Sequence, residues 1–271
     1  MAANPFDRAL RRRRHERARA GFAAADFLHA AMAGELRARV ADVARDFANV
    51  LDLGGPVPVW PQAVRCALAP EPGGVVADED RLPFADASFD LVVACGSLAT
   101  VNDLPGTLVQ VRRVLRPDGL FVGALIGGMS LVELRGALIG AEAAITGGAA
   151  ARLAPMVEAS AAAGLLQRAG LAMPVADVER ITVRYAGLGR LIDDLSAMGA
   201  RSVLASRAPL RRDVLAAAAS RFAEAADPDG RTAVTVEILH LAGWAPAPDQ
   251  PKPLTPGSAK ASLKDVLERK I

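Results

Sequence analysis

The sequence predicts a doubly wound, mostly parallel α/β sheet with N-terminal helices in front of it and an extended C-terminal tail behind. Three observations carry this. The runs Asn49–Leu53, Val75–Ala77, Phe89–Ala94 and Leu120–Leu125 are apolar at nearly every position. Strands with no polar alternation are those covered on both faces, as in parallel sheets. Segments with helical spacing separate several of these runs, and Gly, Pro or Asp bounds each of them. Finally, glycines and acids gather just past the runs, as Gly54-Gly55, Asp78-Glu79 and Cys95-Gly96-Ser97. Open α/β sheets bind ligands beyond the carboxyl ends of their strands.

Composition agrees. The chain has 271 residues, 52 % hydrophobic and mainly Ala, Leu and Val, with a net charge of +2. That is enough chain for a sizeable core, and no whole-molecule charge recruits nucleic acid. Two cysteines, Cys66 and Cys95, form neither a disulfide framework nor a metal set, and they read as packed thiols of a cytoplasmic protein. No apolar run approaches the roughly 18 residues of a spanning helix. Three scattered histidines, 15, 29 and 240, give no iron-binding spacing. No nucleophile–base set or carboxylate pair is legible, so catalytic residues are not assigned.

In order, residues 5–20 predict a basic helix entered through Pro5, with seven arginines in the first twenty residues. Its Arg11–Arg14 run is either a solvated face or a weak peripheral contact for an anionic or membrane surface. Residues 24–47 predict a second helix, and together 1–48 form a helical extension. The α/β domain spans 49–245. Its first strand, Asn49–Leu53, precedes a helix expected from Pro61 to Leu68. From Asn49 to Ala77 is only 29 residues, room for one βαβ unit at roughly 30 residues, so the sheet is expected to be one βα unit short. Asn102-Asp103-Leu104-Pro105 reads as a capped helix start. Ser130 and Glu133 have capping-box spacing for the next helix, which runs to about Ile145. Further helices are expected at 157–169, 188–198 and 209–225, with a strand at 175–183. The last strand, Thr232–Leu241, alternates and is expected at an antiparallel edge. The Pro-rich tail, 246–271, is expected to be extended, with a short helix expected at 259–269.

Several pieces in fixed order carry a resemblance. Asp52-x-Gly54, Asp78 with Leu82-Pro83-Phe84, Ser88-Phe89-Asp90-Leu91-Val92 and Leu115-Arg116-Pro117-Asp118-Gly119 are similar to the successive motifs of class I S-adenosylmethionine-dependent methyltransferases. More narrowly, Phe6-Asp7-Arg8, Val101–Gly106, Gly127-Gly128 with Leu131-x-x-Leu134-Arg135, Val183-Arg184-Tyr185, Asp194–Ala200 and Lys252–Ala259 resemble the complex I assembly factor 5 family. The likeness implies a class I methyltransferase-like fold, S-adenosylmethionine as cofactor and a respiratory complex I subunit as partner. It also implies activity as a protein-arginine hydroxylase or methyltransferase-like enzyme. The alternative is a non-catalytic scaffold or chaperone of the same fold.

By the same resemblance, Asp52, Gly54 and Gly55 lie at the cofactor loop, Asp78 and Glu79 at the adenine, and Cys95, Gly96 and Ser97 beside them. Asn102, Asp103, Arg135 and Tyr185 would face substrate. Each has a plainer reading: a tight turn for Gly54-Gly55, a turn-capping acid for Asp78 and a helix cap for Asn102 and Asp103. In the methyltransferase superfamily the loop continues with two more glycines where this chain has Pro56 and Pro58. Proline offers no N–H to a ligand, and its ring blocks close approach. No acid falls by spacing where the family grips the ribose.

Overall fold

The computed structural model describes residues 4–70, 72–250 and 258; the short helix expected at 259–269 lies outside the described residues. Seven strands occur among them: β1 (Val50–Leu53), β2 (Val64–Ala67), β3 (Val75–Val76), β4 (Phe89–Cys95), β5 (Leu115–Gly127), β6 (Ala172–Tyr185) and β7 (Thr232–Trp244). They form one sheet in the order β3-β2-β1-β4-β5-β7-β6. The pairs among β1 to β5 are parallel, and β7 runs antiparallel between β5 and β6. Seven α-helices among the described residues accompany it: α1 (Arg8–Ala18), α2 (Phe27–Ala41), α3 (Leu104–Val114), α4 (Val132–Thr146), α5 (Ala159–Arg168), α6 (Leu188–Ala197) and α7 (Arg212–Glu224).

The doubly wound α/β class expected from the sequence is the observed one, with two differences at the strand level. The missing length comes out of helices, not strands. Residues 61–68, expected as a helix, hold β2, paired with β1 from Leu51↔Val64 to Leu53↔Cys66. Pro56, Pro58 and Pro61 each remove a backbone donor, and residues preceding proline avoid helical backbone. Gln62 sits at φ +65 and breaks the last route to a helix. The second difference is β7, which is antiparallel as expected but interior; the edge is β6, whose outer residues Val175 and Val178 are exposed.

Strand alternation divides the core into two layers. Leu51, Leu53, Val92, Ala94, Phe121 and Leu125 meet α3 and α5 on one face. Val50, Leu91, Val93, Leu120 and Val122 meet α2 on the other. A third cluster joins α4, α6 and α7 at the β6–β7 end, around Leu191, Ala218, Phe222 and Val234. Local chemistry sets several helix starts. Asp7 caps α1, accepting from Leu10 N at 2.8 Å, and Asp103 caps α3, accepting from Gly106 N at 2.8 Å. The capping box expected at Ser130 and Glu133 is absent. Leu131, at φ +58, precedes α4; the Ser130 hydroxyl bonds Gly127 O, and Glu133 bonds Thr235.

Candidate functional site

The carboxyl ends of β1, β2 and β4 meet the segment after β3, and there most of the sequence-predicted cofactor residues converge. Asp52 closes β1 and is wholly buried. One carboxylate oxygen accepts from Val59 N at 2.6 Å and Trp60 N at 3.2 Å, folding the helix-free loop back. The other accepts from the Arg65 guanidinium at 2.6 Å. Burial is the largest influence on the Asp52 carboxyl and raises it; Arg65 and the loop N–H groups pull the other way. The same guanidinium donates to the carbonyls of Gly54 and, at 2.7 Å, Gly55. A buried arginine from β2 therefore occupies the underside of the glycine loop.

Gly54 and Gly55 adopt φ +67 and +80, a region that favours glycine. A Cβ on Gly54 would lie 2.3 Å from Ser97 Cβ, and one on Gly55 would lie 2.6 Å from Cys95 O. The loop is thus packed against the chain leaving β4. Ser97 is buried and its hydroxyl donates to Leu53 O at 2.8 Å. Gly96 N donates to Ala124 O, and the Cys95 thiol, pushed up to about 12 by burial first, is sealed beneath His29.

The acids after β3 receive α1. Glu79 is fully buried and takes two bonds from the Arg11 guanidinium, at 2.7 and 3.0 Å, while Arg11 also donates to Ser97 O at 2.8 Å. Arg8 bridges Asp78 at 2.6 Å, Glu79 at 3.2 Å and Asp80 at 3.3 Å. Arg11 is itself only 2 % exposed. Two neutral imidazoles pack nearby. Burial, then Arg11, pushes His15 down to about 4; burial, then Arg65, does the same to His29. The space left between Arg11, His15, Gly54, Pro56 and Glu79 is about 10 Å³, no more than one water needs.

The residues expected to face substrate separate. Asn102 clamps Phe6, accepting from its N–H at 2.9 Å and donating to its carbonyl at 3.2 Å. Asp103 is the α3 cap, the plainer of its two readings. Arg135 is half-buried on α4 and does not line the cleft at Glu79. Tyr185 packs in the third core cluster, its phenol raised above its ordinary range by burial and by Asp194. Sequence reasoning missed Arg8, Arg11 and Arg65. The arginine run was visible, but which of its members turn inward depends on where α1 docks.

A second cavity, with none of the first one's lining residues, has a volume of about 330 Å³. Leu134, Leu138, Leu188, Ile192, Leu195 and Leu215 wall it, and Arg14, Arg201 and Arg207 stand around it. Among the described residues no cluster of His, Cys, Asp or Glu could hold a metal, and no helix is long and apolar enough to cross a membrane.

S-adenosylmethionine does not fit the first cleft as folded. A nucleoside needs far more than 10 Å³. Both Asp52 oxygens are engaged, Pro56 and Pro58 lack N–H groups, and Leu68, Ala69 and Pro70, leaving β2, carry no carboxylate.

Comparisons with known proteins place the chain. Residues 56–123 match the methyltransferase domain family. A solved protein of Bacillus halodurans, described as a candidate methyltransferase, shares the fold at a TM-score of 0.52 and 13 % identity, over 79 % of this chain and 99 % of that one. The mitochondrial arginine hydroxylase NDUFAF5 of Danio rerio is 34 % identical over 97 % of this chain and 89 % of its own length. Its Rattus norvegicus counterpart is 35 % identical over 98 % and 84 %. By this near full-length likeness, on a class I methyltransferase-like fold, the chain belongs to the arginine-hydroxylase NDUFAF5 family.

Proposed function

We propose that the protein is an arginine-directed enzyme of this family, serving respiratory complex I assembly, with S-adenosylmethionine admitted only when α1 is lifted from the cleft. The observation that supports a gated rather than a lost site is the origin of the obstruction. Besides Arg65, what fills the cleft is Arg11, carried on α1, a helix that Asn102 and the Phe6–Leu204 bridge tie to the body just ahead of its cap. With α1 docked the residues do not accept the cofactor.

One observation favours a second reading, a non-catalytic scaffold. Arg65 binds Asp52 and both glycine carbonyls from inside the sheet, and lifting α1 would not remove it. Titration calorimetry separates the two. S-adenosylmethionine is added to the wild type and to an Arg8→Ala/Arg11→Ala variant. Binding stronger in the variant supports the gated enzyme. No heat from either protein at millimolar ligand leaves the scaffold. A pull-down against respiratory subunits then tests the partner common to both readings.

A further inference from the structure

The larger cavity answers to neither reading, and its chemistry is of another kind. Its walls are leucine and isoleucine from α4, α6 and α7; no carboxylate lines it. Of the arginines around it, Arg152 is held by Glu142, and Arg207 reaches Asp7 only at 3.6 Å. The side chains of Arg14 and Arg201 have no hydrogen-bond or ion-pair partner among the described residues, and Arg14 Nη1 is shut off from water with no acceptor.

We propose that this pocket binds a small anionic amphiphile: an apolar tail of about ten non-hydrogen atoms, with a carboxylate or phosphate head at Arg14, Arg201 and Arg207. The size follows from 330 Å³ at roughly 30 Å³ per water-sized group. The head follows from charge. Buried charged donors without acceptors are costly, and guanidinium groups pair well with planar carboxylates and with phosphates. The Arg14 guanidinium is also held below its ordinary range, by burial first and then by Arg201, Arg207 and Arg17; an anion among them relieves that crowding. A cationic side chain, such as an arginine of a client protein, is repelled from the same place. The inference therefore stands whether or not the cofactor reading does.

The test uses the full chain and four probes below their micellar concentrations: decanoate, decyl phosphate, decanol and decyltrimethylammonium. Calorimetry is expected to show binding of both anions, decanol at least tenfold weaker and the cation not at all. The tighter of the two anions identifies the head group. Arg201→Gln, exposed and unbonded in the fold, is expected to weaken both anions at least fivefold with its thermal midpoint unchanged. Ile192→Trp is expected to fill the tail space and abolish binding. The proposal is overturned if decanol binds as tightly as decanoate, if neither anion binds folded protein at millimolar concentration, or if Arg201→Gln leaves the anions unaffected.

Discussion

Replacing Arg11 with alanine tests most directly how α1 is held. Arg11 and the Glu79 side chain are 2 % and 1 % exposed, joined by two N–H···O bonds, one to each carboxylate oxygen. Deleting one partner of such a buried pair costs about 3–5 kcal/mol, because the other charge stays buried. Arg8 remains at 3.2 Å from Glu79 and compensates in part, so the lower end applies, about 3 kcal/mol. In a chain of this size 1 kcal/mol moves the midpoint by about 2–4 °C, and Arg11→Ala is expected to lower it by roughly 6–12 °C. Urea unfolding of Arg11→Met, Glu79→Gln and the double variant completes a cycle. The double variant should cost about 2 kcal/mol less than the two singles together, since it leaves no charge stranded. Hydrogen exchange should show α1 amides losing protection before those of β4. If Arg11→Ala lies within 1 kcal/mol of wild type, or the two singles add, the pair does not hold α1 and the gating argument fails with it.

Other perturbations follow from the same geometry. The His29 imidazole lies near 4 when folded against about 6.5 unfolded. Below pH 6.5 the unfolded chain gains the proton first, so this imidazole loses about 3 kcal/mol of stability as pH falls from 6.5 to 4; His15 adds a like slope over the same range, and His29→Asn should therefore make that part of a pH–stability curve shallower. Gly54→Ala places a Cβ 2.3 Å from Ser97 Cβ at φ +67 and should cost at least about 3 kcal/mol in urea unfolding. Gly136→Ala, mid-helix in α4 with open space around it, should instead add about 0.5–1 kcal/mol. Cys66 and Cys95, both buried and pushed up to about 12 chiefly by burial, should resist a thiol reagent at pH 8 until denaturant exposes them; prompt labelling of native protein would contradict their packing.

Much of the fold was legible because its strongest determinants are local. Runs such as Val92 to Cys95, buried on both faces, state their environment without any partner being known. Asp7 and Asp103 announce helix starts by cap chemistry alone. The strand β2 was not legible. Val-Arg-Cys-Ala is too short to choose a state, and it is a strand because β1 offers it a register. Ser130 and Glu133 have the spacing of a capping box, yet both side chains bond β7, more than a hundred residues away. Of the candidate site, the acids and glycines could be found by position. Their partners could not, because Arg11 and Arg65 reach them through tertiary contacts only.

Asn102 ties these observations to the two cavities. Its side chain bonds both backbone groups of Phe6, the residue just before the cap of α1, so the loop after β4 fixes the helix at its start. From there Arg11 turns into the cleft beside Glu79, and Arg14, three residues on, turns to the apolar pocket. One rigid helix therefore presents a charge to each cavity. An anion seated on Arg14 favours the state in which α1 is docked, and that is the state in which Arg11 fills the cleft. Coupling of this kind is reciprocal: whatever lifts α1 from Glu79 must also weaken the anion's hold, by the same factor. Decanoate affinity measured in wild type and in Glu79→Gln reads that factor directly. Equal affinities would mean that the two cavities share a helix but no energy.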